Sequence, residues 1–178
     1  MEWVLGVCWA AFLLAWFVKR SSGRTNNSGH DIKTALNRLE KQLTIIHEIP
    51  LPVQGGMGKI DFAAVSPHEV FVASIIQSQG KIRGDINSRE WLAGKEAIYN
   101  PVWRNRLLLN GLEPILKETH LTPLIVFANG ILADDFGPNI IEFKNLEIYF
   151  KKRKKAGSPN FETMESAIET LIKLKEMG

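Results

Sequence analysis

The sequence predicts an α/β fold, a mixed β-sheet flanked by helices, preceded by one N-terminal transmembrane helix. Three observations predict it. Trp3 to Val18 is a run without a single charge. A polar stretch, Ser21 to Gly29, separates it from the rest. Beyond that stretch, apolar residues recur alternately at helical spacing and in short β-branched runs, the pattern of helices packed on a sheet. This gives an anchor at 1–20, a linker at 21–29 and one domain at 30–178. Apolar residues make up 45% and charged residues 23% of the chain, an ordinary globular balance. Roughly 145–150 residues beyond the anchor suffice for one core.

The run Trp3–Val18 spans about 24 Å as a helix, short of the ~30 Å hydrocarbon core. Lys19 and Arg20 can snorkel and Trp3, Trp16 and Phe17 suit the interfaces. A cleaved signal peptide lacks support, because only Met1 and Glu2 precede the run and no small-x-small site follows. Lys19, Arg20 and Arg24 after the span place the N-terminus outside and the domain in the cytoplasm. The expected localisation is a single-pass membrane protein. The sole cysteine, Cys8, lies in the run. The domain therefore has no disulfide, zinc thiolate or thiol nucleophile. Every Lys and Arg, and every acid but Glu2, lies after residue 18, a mildly basic balance that permits an anionic partner.

Ile32, Ala35, Leu36, Leu39, Leu43 and Ile46 form one helical stripe that Pro50 and Pro52 end. Gly55, Gly56 and Gly58 make a turn. Residues 59–66 and 70–76 read as an antiparallel hairpin, with a short third strand at 81–84 after Gly80. Asn100-Pro101 opens a helix, Asn as N-cap and Pro in the first turn. Its apolar face is Trp103, Leu107, Leu108, Leu112, Ile115 and Leu116. Residues 123–128 form a buried strand, and 140–150 a short strand or helix. A last helix starts near Asn160, burying Met164, Ile168, Leu171 and Ile172.

Lys59 to Asn105 holds the chemistry. Ile60-Asp61 on one strand is followed by Gly80-Lys81-Ile82-Arg83-Gly84, Trp91, Asn100-Pro101 and Val126-Phe127. In that order and spacing the stretch resembles the nuclease-related domain family, NERD, placed with the restriction-endonuclease-like nucleases. The resemblance runs from about Gly29 to Phe127. It implies a restriction-endonuclease-like fold in which an Asp and a Glu-x-Lys pair hold a divalent metal at a scissile phosphate. The Lys there orients water and offsets developing charge. Counted back from Gly80, the Glu and Lys positions fall on Ser74 and Ile76, a neutral and an apolar residue. The Gly-Glu that usually opens the first helix reads Gly29-His30. Asp61 alone keeps a family chemical residue, as a remnant of the catalytic set, with Gln77 as a polar neighbour. One carboxylate is a poor Mg²⁺ site, so no metal and no cofactor are expected. Mg²⁺ enters only under the alternative, an active nuclease whose acid and cation have moved to Glu69, Lys59, Lys81, Asp85 or Glu90.

Lys151, Lys152, Arg153, Lys154 and Lys155 form an unbroken basic run that suits nucleic-acid phosphate or anionic lipid, against a solvated loop as the plain account. His30, His47, His68 and His120 lack metal-ligand spacing. Ser66-Pro67-His68-Glu69 reads as a turn rather than a triad. Trp91 and Trp103 read as core, and Gly55–Lys59 precedes a strand, unlike a phosphate loop. The expectation is a membrane-anchored NERD-like domain, not an enzyme. It acts as a binding module for DNA, RNA or another membrane protein. The rivals are the rearranged nuclease and a structural subunit of a membrane assembly.

Overall fold

The computed structural model describes residues 28–153 and 160–178. The expected anchor, most of the expected linker, and Lys154 and Lys155 lie outside the described residues. Among the described residues no helix is long and apolar enough to cross a membrane. Residues 32–178 form one compact unit.

A helix α1, Ser28–Leu39, ends sooner than its stripe predicts. Leu43 and Ile46 leave it, and a strand β1 runs Thr44–Val53. Thr44, Ile45 and Ile46 are β-branched and favour the pleated strand. Pro50 and Pro52 do not break it, because β1 is an edge strand and pairs only with β2, Gly56–Val65. The β1–β2 ladder is irregular at Glu48, whose φ is 55°. Ile46, Ile49 and Leu51 then all reach one core, as do Ile60 and Ala63 across from them. Glu48 and Asp61 occupy the facing positions at this irregularity, between His47↔Phe62 and Ile49↔Ile60.

The predicted second and third strands are one strand, β3, Val70–Arg83. Gly80 does not end it. It sits at φ 82°, and a Cβ there would lie 3.0 Å from Gly94 Cα, so the close approach of the next hairpin requires glycine. That hairpin, β4 Glu90–Ala93 and β5 Glu96–Tyr99, was not legible in the sequence. Helix α2, Pro101–Leu112, starts where predicted, with Asn100 Oδ1 accepting from Val102 N. Asn100 is itself buried, and its Nδ2 donates to the carbonyls of Ile86 and Ser88. The helix buries Asn105, Leu108 and Leu112, while Leu107 stays exposed. Strand β6 is Leu121–Leu132 and β7 is Ile140–Glu142. A 3-10 turn leads into α3, Leu146–Lys152, and α4 spans Phe161–Glu176.

The sheet is mixed: β1 to β5 follow one another antiparallel, and β6 runs parallel to β3 and β7. Helices α2 and α4 cover one face, over Ile49, Ile60, Ala63 and Val72. Ile32, Leu36 and Leu39 of α1 and Leu146 of α3 cover the other, over Phe62, Phe71, Leu124 and Val126. A third core on the α2 side gathers Ile82, Trp91, Phe127 and Phe136. Trp91 is core as predicted, stacked on Phe136 at 4.3 Å. Ile172, predicted to be buried, points outward, because Leu171 and Leu174 take the inner face of α4.

Candidate functional site

Strand β3 has β6 along one edge. On its other edge β2 departs after Phe62↔Ala73, and β4 joins only at Ile82↔Ala93. Between these points that edge of β3 is open, and the three positions singled out from sequence, Asp61, Ser74 and Ile76, meet here.

Asp61 is half-buried. Its Oδ2 accepts a hydrogen bond from Ile75 N at 2.7 Å. A main-chain N–H that the departing strand no longer satisfies is thus capped by a side chain, and an uncapped one would cost about 1–3 kcal/mol. Ser74 is 1% exposed on the α2 side. Its Oγ accepts from Asn105 Nδ2 at 2.9 Å, and the same amide donates to Val72 O at 3.0 Å. Asn105 Oδ1 is buried with no hydrogen-bond partner among the described residues. Ile76, next on this face, packs against the Trp91–Phe127 core. Gln77 points elsewhere and meets Asn129 at a marginal 3.5 Å.

These residues do not fit a divalent metal. Mg²⁺ needs oxygen ligands in strict octahedral order, with one or two carboxylates as anchors. The single carboxylate here already holds a main-chain donor, the hydroxyl is held by an amide, and the third position is hydrocarbon. Among the described residues no three His, Cys, Asp or Glu side chains are grouped to hold a metal.

Glu69 and Lys81 cannot jointly replace the missing pair. Both flank β3 positions, twelve residues apart, or about 40 Å at ~3.3 Å per residue. Glu69 precedes Ser74 by about 16 Å along that strand and is only 6% exposed. Arg153 grips it with two bonds, Nε to Oε1 and Nη2 to Oε2, each 3.0 Å, and Thr122 Oγ1 donates to it as well. Lys59 pairs with Glu48 at 3.2 Å. Asp85 Oδ1 accepts from Asn87 N, and its carbonyl accepts from Trp91 Nε1 at 2.7 Å. Glu90 lies exposed, opposite Tyr99.

The basic run is not one uniform patch. Lys151 reaches Glu147 at 3.9 Å and Lys152 is exposed. Arg153 turns inward. Beyond Glu69 it donates to Asn139 Oδ1 at 3.0 Å and Tyr149 Oη at 2.5 Å, and its guanidinium lies 4.9 Å from the Phe71 ring centre. Burial pushes the Tyr149 phenol up from its ordinary value, against the opposing pull of Arg153.

Asn105 was missed, and Arg153, expected to face an anionic partner as part of the basic run, instead holds Glu69. Asn105 had a signal: positions 101, 105, 108 and 112 recur at helical spacing, which places an amide in the buried stripe. The pairing of Arg153 with Glu69 had none, since the two are 84 residues apart. Two recesses, of about 300 and 230 Å³, open beside Ser66 and Pro67. Neither is lined by Asp61, Ser74 or Ile76. The expected turn at Ser66 is present: its Oγ accepts from Glu69 N at 3.1 Å and donates to Glu69 O at 2.9 Å. Both His68 ring nitrogens are buried with no hydrogen-bond partner among the described residues, and His47 lies 3.9 Å from Glu40.

Comparison with curated proteins finds no match. In comparison with protein families, residues 25–128 match the model of the NERD family, the nuclease-related domain.

Proposed function

The chain belongs to the nuclease-related domain family, and from its site we propose that it is a catalytically inactive, membrane-anchored member. In this reading its cytoplasmic domain works as a binding module for nucleic acid or a protein partner. One observation carries the reading: at the open edge of β3, Asp61 is committed to Ile75 N, while Ser74 and Ile76 stand where an acid and an ammonium are needed. Without the second acid the metal loses a ligand, and without the lysine the developing anion loses its counter-charge. Losing one such electrostatic contributor costs about 10²–10³ in rate. The charge-free run Trp3–Val18 supports the anchor. The exposed cations, Lys152 among them, support an anionic partner.

The test is a cleavage assay on plasmid, single-stranded DNA and RNA with Mg²⁺ or Mn²⁺, wild type beside Asp61→Ala. Neither protein is expected to cleave. Metal-dependent cleavage by wild type that vanishes in Asp61→Ala would overturn the reading. Binding of the same nucleic acids at low salt, weakened as salt rises, is the positive arm.

A further inference from the structure

The lower end of the sheet is covered on one face only. Ile82, Trp91 and Ala93 point into the third core, beneath Val102 of α2. Strand residues alternate, so Lys81, Arg83 and Leu92 point the other way, and all three are exposed. The register aligns them: Arg83 faces Leu92, which faces Ala97, and Lys81 faces Ile131. Leu92 is 50% and Ile131 54% exposed. Among the described residues no helix packs on this face. Neither Lys81 nor Arg83 forms an ion pair among the described residues. Asp134, the nearest acid in sequence to the β6 end, is engaged with Gly84 N.

The complement to this face is carried by the same chain. Helix α4 buries Met164, Ala167, Leu171 and Leu174. Its outward stripe is Glu162, Glu165, Glu169, Ile172 and Glu176, all exposed and at helical spacing. None of these four glutamates forms an ion pair among the described residues. Lys173 borders the stripe, and the aliphatic Ile172 sits within it. The two surfaces match in kind: an apolar pair with two cations, and an apolar residue flanked by acids. They cannot meet within one molecule. Helix α4 lies on the α2 side of the sheet, at β1, and the bare face is on the other side, at β4 and β5.

We propose that this chain associates with itself head to tail, the outward face of α4 of one copy seated on the bare sheet face around Lys81, Arg83, Leu92 and Ile131 of the next. The chain's own stretch after the apolar run is basic, with Lys19, Arg20 and Arg24, so like charge disfavours it as the cover. The contact is heterologous, because the two patches differ. It closes into a ring if the rotation between copies allows, and otherwise extends as a filament. The proposal does not depend on whether the Asp61 site cleaves anything.

The experiment is the mass of the full chain in dodecyl maltoside micelles, by light scattering with the detergent subtracted. Wild type should associate with rising concentration up to ~100 µM. Salt should weaken this between ~50 and ~500 mM, as expected for a contact with exposed charge. Lys81→Glu with Arg83→Glu should weaken association at least about tenfold, and so should Glu165→Lys with Glu169→Lys. An equimolar mixture of the two pair-reversed proteins should associate again, as should the chain carrying all four changes. That rescue separates lost complementarity from lost folding. A wild type that stays monomeric throughout would overturn the proposal. So would association indifferent to both reversals, as contact through the apolar run alone would give, or a failure of both rescues.

Discussion

Replacing Arg153 with Met strips Glu69 of its one cationic partner among the described residues. Glu69 is 6% exposed and Arg153 29%, so the acid is left nearly dry, with Thr122 as the one remaining side-chain donor among the described residues. Breaking a buried pair from one side costs about 3–5 kcal/mol, chiefly the stranded charge. Because the vacated guanidinium site opens partly to water, the lower end applies, about 3 kcal/mol. In a domain of this size each kcal/mol moves Tm by about 2–4 °C, so Tm should fall by about 6–12 °C. Lys152, exposed and unpaired among the described residues, is the control. Lys152→Gln should change stability by less than ~0.5 kcal/mol. Glu69→Gln added to Arg153→Met should recover part of the loss, because the stranded charge is gone. Thermal unfolding of the full chain in micelles, followed by circular dichroism, reads all four. Equal shifts for Arg153→Met and Lys152→Gln would sink the argument. Arg153 would then belong to the solvated run, as its neighbours in sequence suggest.

Two further outcomes follow from the same structure. Burial holds the His47 imidazole below its ordinary 6.5, more than nearby Glu40 raises it. The unfolded chain therefore binds the proton first, and stability present above pH 6.5 is lost as pH falls through that value. His47→Gln should flatten this part of the pH–stability profile, and an unchanged slope would count against the burial. For the expected anchor, the full chain should stay with membranes through a carbonate wash, while a chain starting near Gly29 should be released; release of both would rule out integral insertion.

The fold was legible where local chemistry agrees with the final environment. Asn100-Pro101 caps and opens α2 because an N-cap amide and a ring-fixed φ act within one turn. Trp91 reads as core because nothing else could hide an indole so large. The reading failed where tertiary position overrides local signal. Pro50 and Pro52 read as the end of a helix, yet an edge strand has no partner on the side where their missing N–H groups would donate. Gly80 read as a turn, yet its role is to let Gly94 approach. The short strands Glu90–Ala93 and Glu96–Tyr99 carry too few residues for periodicity to register, and they form because Trp91 and Ile98 have a core to fill.

The site divides along the same line. That Ser74 and Ile76 fall where the resemblance calls for Glu and Lys is an expectation read from the letters alone, by counting from Gly80. What fills the vacancy is not visible, because it comes from another element. Asn105 reaches from α2 to Ser74 Oγ and Val72 O, and a buried serine is thereby satisfied where a buried glutamate would demand a cation or a metal. Asp61 has a structural occupation in this arrangement. With β2 leaving β3, Ile75 N needs an acceptor, and the carboxylate supplies one at 2.7 Å. An acid can thus be held at this position by the splay of two strands, with a main-chain donor as its partner. The geometry of the open β3 edge is by itself enough to account for a carboxylate here, whatever else the site does.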